Sequence, residues 1–236
     1  MNSTRSLIWK TVIPAMLLPF VASLFYFVLF SEHVFSRAIY AGTKVFTLVW
    51  PIIAVLWILK TGLPKLNLRD VKHLKALPLG LLSGAGIVGL MLVLLQTPLS
   101  TVVHGAAPAI NLKTTELGII NHYWAFAIFI AIFHSLLEEY YWRWFVFGRL
   151  REVTSGRVAH VLGAVSFAAH HVIITTQFFP LGWGLFFGMA VGVGGAIFSK
   201  LYERQQTLVG AWIAHMIVDF GIMWIGYGLI AGDIPG

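Results

Sequence analysis

"ALPLGLLSGAGIVGLMLVLL", residues 76–95, is a run of consecutive residues without a single charge. At 1.5 Å per residue such a helix crosses the ~30 Å hydrocarbon core of a bilayer. "TVIPAMLLPFVASLFYFVLF" (11–30) is a second run of the same kind. The 236-residue chain is 58% hydrophobic and 11% charged, where a soluble domain carries about a quarter charged residues. A bilayer offers no water to open backbone groups, so helices are the default spanning structure. The composition therefore predicts an all-α, polytopic transmembrane bundle.

About seven spans are expected, near 9–30, 38–59, 76–95, 122–147, 158–179, 181–199 and 207–230. The first run is too long for the apolar region of a signal peptide. "SEHVF" after it lacks a small-x-small cleavage pattern, so it reads as a retained span. Loop charges orient the bundle. With the N-terminus in the cytoplasm, twelve lysines and arginines, Lys65 among them, fall on the inside, and three (Arg37, Lys44 and Lys113) fall outside. That asymmetry obeys the positive-inside rule, and an even number of spans would break it. The net charge of +7 is read as orienting charge rather than as a nucleic-acid surface. The chain has no cysteine, which excludes disulfides, thiolate zinc sites and cysteine nucleophiles.

A long connection with Pro98 and Pro108 separates a three-span block (1–100) from a four-span block (122–236), with 101–121 between them. "GAGIVG" (84–89) matches a dinucleotide-binding pattern but lies inside a span, with no strand before it. Its glycines read instead as close helix packing, as do Gly184, Gly188, Gly192 and Ala196 at four-residue steps.

A charge at the centre of a membrane helix costs about 2.5–3.5 kcal/mol even on the lenient scale. The four-span block nevertheless keeps Glu138, Glu139 and Arg143 in one span. His170 and His171 stand in the next, and His215 and Asp219 in the last. Glu139 and Arg143 are four apart, in the favourable order for a helical ion pair. Glu138 is turned about 100° away, so two neighbouring carboxylates should meet different surroundings. Such a division separates a structural carboxylate from a general base. His215 and Asp219 share a face at four-residue spacing, as do Phe167 and His171. His170 is expected to face elsewhere, and His134, one turn before Glu138, to hydrogen-bond to it. The plainer readings stand beside these. Arg143 could snorkel to headgroups. His104, His122, His160 and His170 read as interhelical hydrogen-bonding residues. Tyr140, Tyr141, Trp142 and Trp144 read as interfacial anchors. For Glu138, Glu139, His171 and His215 together the plain reading weakens, because three spans would each carry the insertion penalty for unrelated reasons.

"EEYYWR" (138–143), "FAAHH" (167–171) and "HMIVD" (215–219) resemble, in order, the motifs of the CPBP family, which includes the CAAX proteases and bacteriocin-processing enzymes. The resemblance covers roughly 122–230. It implies an intramembrane endopeptidase acting on a membrane-associated protein or peptide, in which Glu138 activates water with help from His171. His215 and Asp219 would stabilise the oxyanion or complete a metal site, and Arg143 would organise the glutamate pair. A divalent metal such as zinc, held by Glu138, His171 and His215, and a metal-free mechanism both stay open. Asp219 stands where the eukaryotic prenyl-protein enzymes carry asparagine, and an aspartate donates a hydrogen bond only when protonated. The expected setting is a bacterial cell membrane, with the N-terminus cytoplasmic. The competing readings are a non-catalytic scaffold or immunity protein binding a partner through the same cavity, and an ion-coupled transporter, which the absence of an internal repeat disfavours.

Overall fold

The computed structural model describes residues 2–31, 34–64, 67 and 69–232. Glu32 and His33 of the "SEHVF" segment, Lys65 of the inside charges and the last four residues of the C-terminal block lie outside the described residues. Among the described residues, seven helices are long and apolar enough to cross a membrane: α1 (Ser3–Leu29), α2 (Phe35–Ile58), α3 (Val71–Leu94), α6 (Ile120–Val153), α7 (Gly156–Thr175), α8 (Leu181–Gln205) and α9 (Val209–Ala231). Between α3 and α6 the long connection is itself largely helical, as α4 (Leu99–His104) and α5 (Ala107–Glu116). Among the described residues there is no strand.

The helix ends follow local chemistry. Asp70 caps α3, its side chain accepting from the Lys72 amide at 3.0 Å, and that bond holds its carboxyl below the usual carboxylate range. Ser155 caps α7 by accepting from Val158 N. The α8 helix runs past the expected residue 199 because Glu203 gathers Arg151 at 3.1 Å, Lys200 at 2.7 Å and His160 at 3.2 Å around its last turn. Gln206, with φ of 53°, then breaks the helix. His160 thus makes the interhelical contact the sequence suggested.

Helix contacts repair what the sequence breaks. Pro19 has no amide hydrogen, so the carbonyl of Ala15 loses its helical donor. The Tyr141 hydroxyl donates to that carbonyl at 2.8 Å, locking α6 onto α1. Trp50 Nε1 donates to Thr11 O at 2.9 Å and ties α2 to the same helix. Tyr140 is bonded to Leu48 O of α2 at 3.0 Å.

Glycine sets the closest approaches. A methyl group on Gly184 would meet Thr176, one on Gly188 would meet Val172, and one on Gly192 would meet Ala168, so α7 and α8 touch backbone to backbone along this face. On the other side α3 lies against α9, where a methyl on Gly80 would stand 2.6 Å from Gly210 O and one on Gly84 2.9 Å from Ala214 O. Within "GAGIVG" only Gly84 serves this packing, since Gly86 and Gly89 face open space. Large apolar side chains such as Leu82, Val165 and Val193 point outward, as lipid-facing residues do.

Two polar residues bear on these expectations. Lys44, counted among the outside charges though within the expected 38–59 span, sits within α2. Arg143 does not snorkel; it is 1% exposed.

Candidate active site

The site begins in α6, whose regular hydrogen bonding is interrupted twice. Widened π turns cover Ile130–His134 and Tyr140–Phe147, on either side of a short α-helical stretch, Ser135–Glu139. Such turns often accompany functional sites. The carbonyls of the first are taken by neighbours: Ser135 Oγ donates to Ala131 O, and Trp212 Nε1 of α9 donates to Ile132 O at 2.9 Å. The two glutamates are thereby held between an irregular turn above and another below.

Glu139 is fully buried. Its Oε2 lies 3.2 Å from Arg143 Nε, the ion pair that four-residue spacing implies. Its Oε1 accepts from His215 Nδ1 at 2.7 Å. The guanidinium of Arg143 is capped by the faces of Phe167 (4.5 Å) and Phe198 (5.3 Å), and Nη2 approaches Gly195 O at 3.4 Å. A buried charge pair of this kind holds only while both members are present and well packed.

Glu138 opens onto a ring of imidazoles. His215 Nε2 is 3.7 Å from its Oε2. His170 Nε2 is 3.8 Å and His134 Nε2 4.0 Å from its Oε1. These distances exceed direct hydrogen bonds, so the bond expected between His134 and Glu138 is absent. The two carboxylates meet different surroundings but share one partner. Both flank His215, one at each ring nitrogen. Asp219 Oδ1 also stands 3.5 Å from His215 Nε2.

His171 donates Nδ1–H to Phe167 O at 2.8 Å, which leaves Nε2 with a lone pair. Its ring lies 4.0 Å from that of His170. His170, expected to face elsewhere, belongs to the cluster. Its ring stacks flat on Trp142 at 5.3 Å, and its buried Nδ1 has no hydrogen-bond partner. Trp142 and Tyr141 are therefore buried packing residues rather than interfacial anchors. Helical periodicity missed His170 because the chain brings Trp142 and Phe167 together around it, which no local spacing reveals.

Among the described residues, one group of side chains could hold a metal ion: Glu138, His170 and His171, each offering a ligand atom within 4.8 Å of the others. Two histidines and a glutamate are a known zinc donor set, and the bond from His171 Nδ1 to a carbonyl is the usual support of a ligating imidazole. His215, which the sequence suggested as a ligand, is absent from this group. Both of its nitrogens face carboxylates, which suits a donor rather than a lone-pair ligand.

All the sequence-predicted residues (Glu138, Glu139, Arg143, His171, His215 and Asp219) thus converge from α6, α7 and α9. Residues 120–221 match the family model of the type II CAAX prenyl endopeptidase Rce1-like proteins. No curated protein matches the chain, and no solved structure does. The matched segment contains every one of those six residues, and the family model it matches is one of the CPBP group of CAAX proteases.

Proposed function

We propose that the protein is an intramembrane endopeptidase that hydrolyses a peptide bond of a membrane-associated protein or peptide. The observation that carries this reading is the convergence of Glu138, His170, His171 and His215, from three spans, around one space. Glu138 is the general base. Of the two adjacent glutamates it is the one without a short partner, so its lone pairs are free to take a proton from water. His171, with Nδ1–H committed to Phe167 O, offers Nε2 as a second acceptor for the same water.

His215 is the electrophile. Glu139 accepts from Nδ1 and fixes the ring, as a buried carboxylate orients a catalytic imidazole elsewhere. Nε2 then points its hydrogen to where the carbonyl oxygen develops charge. Asp219, beside Nε2, balances and aims that donor, a role an aspartate can fill without donating a hydrogen bond itself. Arg143 neutralises Glu139 and so keeps it a structural partner rather than a competing base. Proton return to the leaving amine falls to Glu138, which ends the reaction as a carboxylate.

Glu138, His170 and His171 are the residues that would hold a divalent metal. Such an ion, when bound, supplies Lewis acidity and an activated water.

The test is the purified full chain in detergent, offered a peptide library and followed by mass spectrometry. Glu138→Ala and His171→Ala should each abolish cleavage, and His215→Ala should lower it by about 10²–10³-fold, the usual loss of an oxyanion donor. Full proteolysis by either of the first two variants removes the proposal. A Glu138→Ala chain that still complements in cells shows a binding role instead. Metal analysis of the active preparation, with chelation and add-back, decides the metal question.

A further inference from the structure

The first widened turn of α6 is held open from outside the helix. At its end the amide of Ser135 reaches back to Ile130 O, five residues away rather than four, so the turn contains one residue more than a regular one. The carbonyls displaced by such an insertion need other donors, because a bilayer supplies no water to replace them. Side chains meet that need. Ser135 Oγ donates to Ala131 O within the helix. Trp212 reaches across from α9, and its indole N–H donates to Ile132 O at 2.9 Å. Ser135 Oγ stands 3.4 Å from that same oxygen, but its one hydrogen is already committed to Ala131 O. On the other side His134, the last residue of the turn, meets Lys44 Nζ of α2 at 2.8 Å.

Trp212 stands three residues before His215. Its bond to Ile132 and the bond from His215 to Glu139 therefore tie the same short piece of α9 to two places on α6. Glu138 lies between them. A further tie, from the Tyr123 hydroxyl to Met223 O at 2.8 Å, is made before the widened turn begins and leaves its register free. One residue of register amounts to about 100° of helix rotation and 1.5 Å of rise. If the turn closed to a regular helix, the segment carrying Glu138 would have to swing or slide against α9. The approach of Glu138 Oε2 to His215 Nε2, now 3.7 Å, depends on its staying open.

We propose, on the peptidase reading above, that Trp212 is a positioning residue whose N–H keeps this turn open and thereby aims Glu138 at the space it shares with His215. An indole nitrogen only donates, so the role belongs to that one hydrogen. It acts through Ile132 O and not on the reacting atoms.

The test separates the hydrogen from the ring. Full chains are prepared in detergent with Trp212→Phe, with benzothienylalanine at 212, which has sulfur in place of the N–H in a ring of the same shape, and with fluorotryptophan at 212, which keeps the N–H. Turnover and KM are measured on a peptide that the parent cleaves, beside the thermal midpoint and the hydrogen exchange of amides 130–139. Loss of the N–H should lower kcat by about ten- to a hundredfold, the scale of a 1 Å misplacement, with KM and the midpoint unchanged. Exchange of the turn should quicken by about tenfold, the worth of one hydrogen bond. Fluorotryptophan should restore both. Parent-like kcat in the benzothienylalanine protein overturns the positioning role and spares the peptidase. So does a loss that the fluorotryptophan protein shares, or one that follows the midpoint. A parent that cleaves no peptide ends the peptidase reading. Exchange that still depends on the N–H then upholds Trp212 as the tether of the turn, and exchange indifferent to it removes the tether as well.

Discussion

Glu138 and Glu139 are adjacent in sequence and serve opposite ends. Around Glu139 the contacts are short: Arg143 Nε at 3.2 Å as an ion pair and His215 Nδ1 at 2.7 Å as a hydrogen bond, with no exposure. Around Glu138 the contacts with three histidines run from 3.7 to 4.0 Å, and the side chain keeps 14% of its surface open. The first arrangement fixes geometry. The second leaves lone pairs and N–H groups uncommitted, which is what a reacting group needs. The difference shows how one helix can supply both a scaffold and a reagent from neighbouring positions.

The comparison breaks most visibly at Glu138. Glu138→Gln keeps the shape and removes the base, so the expected result is a loss of turnover of about 10²–10⁴-fold with the thermal midpoint in detergent unchanged. Glu139→Gln should behave differently. It leaves Arg143 buried without its counter-charge, so both the midpoint and the activity should fall. Equal behaviour of the two variants would show that the division between them is wrong.

Arg143 sharpens the same contrast from the scaffold side. Removing one member of a buried pair costs about 3–5 kcal/mol, so Arg143→Met should unfold at markedly lower temperature than the parent. An Arg143→Met, Glu139→Gln double variant removes both charges and should recover part of that stability. Circular dichroism melts of the four proteins form a double-mutant cycle, and additivity within about 0.5 kcal/mol would show the two side chains to be uncoupled.

The α7–α8 seam sets the histidines rather than the glutamates. A side chain at Gly188 would collide with Val172, one residue beyond His171. Gly188→Val should therefore destabilise by about 1–3 kcal/mol and disturb the imidazoles on α7 while the Glu139–Arg143 pair persists. Activity should fall further than stability alone explains, measured as turnover at a temperature where the variant is folded.

Much of this was legible in the sequence. Long apolar runs reveal spans, because a bilayer demands them whatever the packing. Four-residue spacing found the Glu139–Arg143 pair and the neighbourhood of His215 and Asp219, because helical geometry is local. Spacing failed where tertiary contacts decide. His170 stands in the cluster because Trp142 stacks on it from another helix. Lys44 was counted among the outside charges near a span's end, because nothing near it in sequence points to His134. The two π turns of α6 also have no pattern that a regular period could detect, and they help bring both glutamates to one imidazole.

The smallest effect separates two glycines of a single motif. Gly84 and Gly86 both lie in "GAGIVG" on α3, and residue type alone treats them alike. A methyl group on Gly84 would stand 2.9 Å from Ala214 O and 2.9 Å from Ile217 Cβ, next to the His215 turn of α9, while one on Gly86 would meet nothing within 4 Å. Gly84→Ala must therefore push α3 from α9, a loss of about 1 kcal/mol or more, and should weaken turnover by displacing His215. Gly86→Ala replaces a flexible residue in a helix at no steric cost and should gain up to about 1 kcal/mol. Opposite shifts of the thermal midpoint bear out the close approach that positions His215 from the far side of the bundle. Shifts of the same sign would mean that α3 merely lies beside α9 and that His215 owes its place to Glu139 alone.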